Sequence, residues 1–415
     1  MDGELSSIPD AVAAIARGEV IIVIDAEDRE DEGDFVCAAE KATPENINFI
    51  LSGRGDFCMP VLPDICQRLE LNPIVADNTT KLETAFVTPL DHASCRTGIT
   101  AEERSLTVRA IVDGTSGPSD FVRPGHVHLL LAKEGGVLRR AGHTEAAMDL
   151  ARMAELVPAG VLCEILGESG DRASREELFE IAGQHQLEII SIEQLIAYRR
   201  QHEKLVQRAA QSKLPTRFGI LDIVIYDVKY ESQEPIALVL GDPTSSKQAP
   251  LVRMHSSCFT GDLLSSLRCD CGDQLQLALE MISREGVGVV VYLPQEGRGI
   301  GLAEKIRAYS LQDDGLDTVQ ANHALGYKAD MRDYGIGLQI LKNLGLSEIR
   351  LLTNNPKKTE AVNLRGFDLK VIDQVPILPQ PNEFNQHYLE TKRDKMGHVI
   401  PDSPMMNRRA GEKKG

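Results

Sequence analysis

Residues 18–34 read GEVIIVIDAEDREDEGD. Val20 to Ile24 are five successive β-branched residues, too short a run for a helix and too apolar for an exposed segment, so VIIVID (20–25) reads as a buried strand. Upstream, DAVAAIAR has helical apolar spacing, with Asp10 as its expected cap and Gly18 as its stop. The same alternation recurs. Thr43-Pro44 opens a helix, a helix from Thr144 (TEAAMDLARMAEL) precedes the strand AGVLCEIL (159–166), and Ser174 to Glu177 forms a capping box before the run LEIIS. The expected class is α/β, in the mixed α+β sense, with two domains that each pack a sheet with helices.

Length supports two domains, since 415 residues exceed one ordinary core. Residues 201–212 carry little that is large and apolar, so the expected division is 1–200, a linker at 201–212, a second domain at 213–400 and a disordered tail at 401–415. FGILDIVIYDV (218–228) alternates like a half-buried strand. IALVLGD, LVRMHS, GVVVYL (288–293) and IRLLTN (349–354) continue the pattern, with helices from about Asp273 and after Gly301. Residues 1–200 hold 18 Lys+Arg against 35 Asp+Glu, whereas the remainder balances at 27 each. Neither half has a basic stripe, which argues against nucleic acid as a partner. No apolar run reaches the roughly 20 residues that span a bilayer. The acidic N-terminus lacks the pattern of a secretory signal, so no membrane partner and a cytoplasmic address are expected.

EDREDEGD (27–34) sets six carboxylates around Arg29 directly after the strand. It reads either as a solvated acidic turn or as a site for a hard cation, since Mg²⁺ takes carboxylate oxygens. In RRAGHTEA (139–146), Arg140 and His143 precede a helix start whose free N–H groups suit a phosphate. DREDEGD, TGITAEER (97–104), PSDFVRPGH (118–126), RRAGHTEA and AGVLCE (159–164) together resemble 3,4-dihydroxy-2-butanone-4-phosphate synthase over residues 5–200. The resemblance implies Mg²⁺- or Mn²⁺-dependent conversion of ribulose 5-phosphate to dihydroxybutanone phosphate and formate. It implies Glu30 and His143 as metal ligands, and Arg29, Glu30, Asp34, Arg140, Ala141, Gly142, His143 and Thr144 as substrate contacts. His126 and Glu164 are implied to be essential. Two stretches depart from the family pattern: His126-Val127-His128-Leu129 and GDRASR (170–175).

In the second half, SCFTGDLLSSLRCDCGDQ (257–274) spaces three cysteines as Cys-x10-Cys-x-Cys. Three thiolates suit Zn²⁺. A closed structural site would need a distant fourth ligand, such as His255 or His323, while an open site keeps a position for water. QEGRGIG (295–301) and LTNNPKK (352–358) each end a strand and start a helix, and each alone is a weak phosphate signal. With RMHSSCFTGD, SLRCDCG, IRAYSLQ and ADMRDYGIG, these stretches resemble GTP cyclohydrolase II over residues 213–400. The resemblance implies GTP hydrolysis to formate, pyrophosphate and a diaminopyrimidinone ribosylamine phosphate, with Cys258, Cys269 and Cys271 as zinc ligands. Asp330 is implied as proton acceptor and Arg332 as nucleophile at the α-phosphate; electrostatic clamping is the plainer alternative for a guanidinium. Implied GTP contacts are Arg253, Met254, His255, Ser256, Ser257, Gln274, Glu296, Gly297, Arg298, Tyr309, Thr318, Thr353 and Lys358. Ser257 stands where many relatives carry Glu.

The expectation is a bifunctional riboflavin-biosynthesis enzyme, lyase and hydrolase in one chain, and a homodimer. Three competing readings are a chain with only one active half, a zinc-stabilised nucleotide-binding module, and a zinc deaminase. The last lacks its H-x-E and P-C-x-x-C signature.

Overall fold

The computed structural model describes residues 4–26, 29–80, 82, 84–327, 330, 332, 334–355, 368–397 and 399. Lys358 and the expected tail at 401–415 lie outside the described residues. The chain forms two compact units, Met1–Arg199 and Arg200–Gly415.

In the first unit one sheet contains β1 (Ile21–Ile24), β2 (Gly33–Ala38), β3 (Cys58–Val61), β4 (Phe86–His92), β5 (Phe121–Leu131), β6 (Gly160–Glu164) and β7 (Ile189–Ser191). Their order is β4-β5-β3-β6-β2-β1-β7, with parallel and antiparallel pairs mixed. Ile21 and Val23 pack on one face against helices Ile8–Arg17, His143–Met153 and Ile192–His202. Ile22 and Ile24 pack on the other against Pro44–Ile50, Ala101–Val112 and Arg175–His185. Burial on both faces is why this strand is uniformly apolar. Each such side chain contributes roughly 1.5–3 kcal/mol, so a polar residue is excluded on either side.

One expected cap and one expected helix start shift. Ser7, not Asp10, caps the first helix: its Oγ accepts the Asp10 N–H at 3.2 Å, and Pro9 occupies the first turn. Thr144 is already helical, and Gly142 precedes the helix His143–Met153 with no side-chain cap.

The second unit holds β8 (Val206–Thr216), β9 (Gly219–Val228), β10 (Ile236–Leu240), β11 (Leu251–Ser256), β12 (Gly288–Leu293), β13 (Glu348–Leu352) and β14 (Lys370–Val375). The order is β14-β13-β11-β12-β10-β9-β8. The first four in that order run parallel, and β10, β9 and β8 follow antiparallel.

The linker expected at 201–212 is corrected. Val206–Thr216 is a strand that pairs with β9, although its side chains from 207 to 215 are all exposed. Ladder hydrogen bonds hold it, so no apolar alternation marks it in the sequence. The residues just before it are also ordered: Leu205 N–H donates to Gln339 Oε1 at 2.9 Å, and Gln339 Nε2 donates to the carbonyls of Arg200 and Glu203 at 2.7 and 2.9 Å. Among the described residues no helix is long and apolar enough to cross a membrane.

Candidate active sites

In the first unit the acidic loop wraps around a buried carboxylate. Asp25, at the end of β1, accepts the backbone N–H groups of Glu30 and Glu32 at 3.3 and 3.1 Å, and Arg29 at 2.7 Å. Arg29 also bonds Glu30. Asp34 and Glu164 are register partners on β2 and β6, so their carboxylates share one face of the sheet. Asp25, Glu30 and His143 can each bring one ligand atom within 4.8 Å of the others, and so can Glu32, Asp34 and His143.

His143 is oriented for ligation. Its Nε2 lies 3.0 Å from the Val23 carbonyl, which can only accept, so that nitrogen carries the proton and Nδ1 keeps its lone pair. Nδ1 faces Asp34 Oδ1 at 3.9 Å. Asp34 Oδ1 is buried and has no hydrogen-bond partner among the described residues. Burial, then the charges of Glu164, Glu32, Glu30 and Asp25, push the Asp34 carboxyl well above its ordinary range. The same causes, burial first, push Glu32 up to about 7, and burial raises Glu164. Burial lowers His143 to about 4. A neutral imidazole among crowded carboxylates, one with a bare oxygen, fits a hard divalent cation.

Two arginines converge beside this group. A Cβ on Gly142 would lie 2.5 Å from Arg140 Nη1 and 3.1 Å from Arg29 Nη2. Glycine leaves room for both guanidinium groups at the N-terminus of the helix His143–Met153. Arg140 is braced by Glu145 at 2.7 Å and by Thr84 Oγ1 and the Leu82 carbonyl, both at 2.9 Å.

His126 is not brought into the His143 group. Its Nδ1 sits 2.7 Å from Asp91 Oδ2, and its backbone N–H donates to Asp91 Oδ1 at 2.8 Å. Asp91 was missed in the sequence, because 35 residues separate the partners. The departing stretch 170–175 lies over the acidic loop: Arg172 donates to the Glu30 carbonyl, and Arg175 to that of Asp25 at 3.3 Å.

In the second unit Cys258 follows β11, while Cys269 and Cys271 lead into the helix Cys271–Glu285. The three sulfurs form one cluster, with Cys258 and Cys269 at 3.7 Å. A Cβ on Gly261 would meet the Cys269 sulfur at 2.9 Å and the Cys258 sulfur at 3.1 Å, so the loop fits over the thiols only as glycine. Hydrogen bonds from Cys269 and Cys271, then Lys305, hold the Cys258 thiol below its ordinary value. Among the described residues no fourth ligand joins the cluster. His255 points its Nε2 at Asp262, 3.1 Å away, and stacks on Tyr292. His323 lies in the helix Thr318–Ala324, outside the cluster.

The cluster opens onto a cleft of about 1110 Å³, including its mouth. The cleft sits where β11, β12 and β13 end, at the carboxyl edge of parallel strands where α/β sheets bind ligands. Of the residues implied as GTP contacts, Arg253, His255, Ser256, Ser257, Gln274, Glu296, Gly297, Arg298, Tyr309, Thr318 and Thr353 line it, as does Arg332. Met254 does not. It alternates to the opposite face of β11 and packs on Gly337, 1% exposed, so its side chain belongs to the core. Asp330 stands behind Arg332, bonded at 2.8 and 2.5 Å. Burial raises the Asp330 carboxyl, but the bonds and charge of Arg332 outweigh it and leave it lowered; against its own desolvation, the Arg332 guanidinium is pushed up by Tyr334 and then by Asp330.

The loop after β12 is strained toward the cleft. Gly297 and Arg298 both have φ of +62°, a conformation a non-glycine adopts rarely. The helix Leu302–Asp313 then begins at Gly301 without a side-chain cap.

The family model for 3,4-dihydroxy-2-butanone 4-phosphate synthase matches residues 9–198, and that for GTP cyclohydrolase II matches residues 207–376. Riboflavin biosynthesis protein RibBA of Bacillus mycoides (strain KBAB4) is 52% identical over 394 residues, which is 95% of this chain and 98% of the relative. The chain belongs to the RibBA family. It is a bifunctional riboflavin-biosynthesis enzyme with a synthase (lyase) and a cyclohydrolase (hydrolase) domain. RibBA of Bacillus subtilis (strain 168) is 51% identical over the same shares of both chains. Among solved structures, RibBX from A. baumannii, a two-domain 3,4-dihydroxy-2-butanone 4-phosphate synthase, has 34% identity and a TM-score of 0.65, covering 84% of this chain and 94% of its own. The class expected from sequence, two mixed units of sheet and helix, is the one found.

Several residues of this RibBA-family cleft were not singled out in the sequence. Lys305 donates to the Cys258 sulfur at 3.0 Å and to Glu296 at 2.7 Å. Its spacing of four from Tyr309 on one helix was a usable signal. Lys392 and Tyr388 also line the cleft, and Lys392 bonds Asp270, between the two paired cysteines, at 2.6 Å. They lie beyond the segment matched by the cyclohydrolase model, in the polar helix Gln386–Met396.

Proposed function

We propose that the first unit converts D-ribulose 5-phosphate to 3,4-dihydroxy-2-butanone 4-phosphate and formate. In this reading Glu30 and His143 hold Mg²⁺ (or Mn²⁺), which when bound supplies a Lewis acid to the sugar's oxygens. Support comes from the free Nδ1 of His143 and the bare oxygen of Asp34. Arg29 and Arg140 receive the phosphate with the N–H groups of residues 141–144. Asp34 orients the sugar. His126, held by Asp91 through Nδ1, and Glu164, with its raised pKa, move protons.

The second unit hydrolyses GTP to 2,5-diamino-6-ribosylamino-4(3H)-pyrimidinone 5′-phosphate, formate and pyrophosphate. Cys258, Cys269 and Cys271 hold Zn²⁺, which supplies an acidified water when one coordination position stays open. Tyr309, whose hydroxyl is 3.2 Å from that of Thr260, bounds the purine side. Arg298, Thr318 and the uncapped helix start after Gly301 face the phosphates, and Arg253, His255, Ser256, Ser257, Gln274, Glu296, Gly297 and Thr353 complete the contacts; Lys358, outside the described residues, is assigned to GTP from the resemblance alone. Asp330 is the proton acceptor. Arg332 clamps the α-phosphate; its raised pKa favours that over attack by a neutral guanidine. Both substrates are small molecules, and the chain acts as a homodimer.

One observation carries the reading of the second unit: the three-cysteine cluster opens into a cleft lined by arginines at the ends of three parallel strands. The experiment is to give the purified chain each substrate separately and measure formate. Both should yield it, and Glu30→Gln should abolish only formate from ribulose 5-phosphate. An unimpaired Glu30→Gln variant would reduce the acidic loop to a solvated turn.

A further inference from the structure

The first unit holds another set of metal-capable atoms outside the Glu30–His143 group. Asp56, Cys58 and His128 each offer one ligand atom within 4.8 Å of the others. The sheet builds this arrangement. Cys58 opens β3, and His128 is its register partner on the parallel neighbour β5, so their side chains leave the same face side by side. Asp56 reaches the same place from just before the strand: its Oδ1 and Oδ2 lie 2.9 and 3.0 Å from His128 Nδ1.

The donor set differs from that of the acidic loop. One sulfur, one imidazole nitrogen and one carboxylate oxygen form a borderline-soft set, which suits zinc and its neighbours and not magnesium. Bonds of about 2.0–2.2 Å to nitrogen and oxygen put those two atoms roughly 3.3 Å apart around a tetrahedral ion, a few tenths of an ångström from the present spacing. Burial is graded in a way that suits a site. Cys58 is 2% exposed and forms the floor. The side chains of His128 and Asp56 are 41% and 49% exposed and form a mouth through which an ion can enter. The surroundings add negative charge, since the Asp56 N–H donates to the Glu164 carboxylate at 2.7 Å.

We propose that Asp56, Cys58 and His128 form a binding site for a divalent cation of the zinc class, separate from the hard-cation group, with water completing the coordination. None of the three residues carries a role assigned to the two reactions, although the backbone of Asp56 touches Glu164. His128 lies in one of the stretches that depart from the synthase pattern, and Cys58 Sγ gives the site its selectivity.

The test is zinc content. The full chain is dialysed against Zn²⁺ in excess Mg²⁺, which occupies the hard-cation group, and zinc per chain is measured for the parent, Cys58→Ser and His128→Gln. Each variant should retain about one zinc fewer than the parent, whatever the three-cysteine cluster holds. Equal zinc in the parent and both variants overturns the proposal. If Cys58→Ser at its buried position fails to fold, His128→Gln at the half-exposed position decides alone.

Discussion

Lys305 Nζ stands 3.0 Å from the sulfur of Cys258. The same ammonium reaches Glu296 on its other side, so one buried cation joins the cysteine cluster to the loop that follows β12. Lys305 helps to make Cys258 the first of the three thiols to ionise, and a thiolate is what a metal ligand requires.

Lys305→Met keeps the apolar stem and removes the charge. Losing a charge-assisted hydrogen bond costs about 1.5–3 kcal/mol, so GTP turnover should fall roughly tenfold to a hundredfold. Formate from ribulose 5-phosphate should not change. Steady-state assays of both activities check this, and an undiminished GTP activity would make the contact incidental.

The acidic loop predicts a pH dependence. The Glu32 carboxyl titrates near 7 in the folded chain against 4.5 ordinarily. Between those values the native state keeps a proton that the unfolded chain has lost, so stability falls as pH rises through the window and levels off above it. A bound cation needs the ionised form, so Mg²⁺ affinity should run the other way, roughly tenfold tighter at pH 8 than at pH 6. Thermal unfolding of the first unit with and without Mg²⁺ at the two pH values measures both. A stabilisation by Mg²⁺ that is independent of pH would contradict it.

Strand β8 changes where the chain can be divided. A fragment beginning at residue 200 keeps β8 and the Gln339 anchor, whereas one beginning at 213 loses most of the strand and bares the edge of β9. Fragment 200–415 should release pyrophosphate from GTP and unfold cooperatively. Fragment 213–415 should aggregate or melt at lower temperature. Equal behaviour of the two would make β8 dispensable.

What could be read from the sequence follows from what each residue does. VIIVID declared its strand because both faces are buried, and Ser174 declared its helix because a capping box is local. The polar strand 206–216 was not legible, since it pairs through backbone and buries almost nothing. The three cysteines could be read together, but their lysine could not, since only the fold turns Lys305 inward. Met254 was carried along by its neighbours in the run 253–257, although alternation along a strand places it on the opposite face. Pairs such as His126–Asp91 and His128–Asp56 join residues tens of positions apart, and only the register of the sheet brings them together.

The central claim is that three cysteines hold a zinc whose open position serves the C8 end of GTP, while Arg332 and its neighbours act at the phosphate end. Serine is a harder and far less acidic ligand than cysteine, so Cys269→Ser should lose metal and ring opening together. The decisive measurement is formate against pyrophosphate released from GTP by Cys269→Ser. The account predicts that formate disappears while some pyrophosphate is still released. Formate at the parental rate from a zinc-free variant would contradict it.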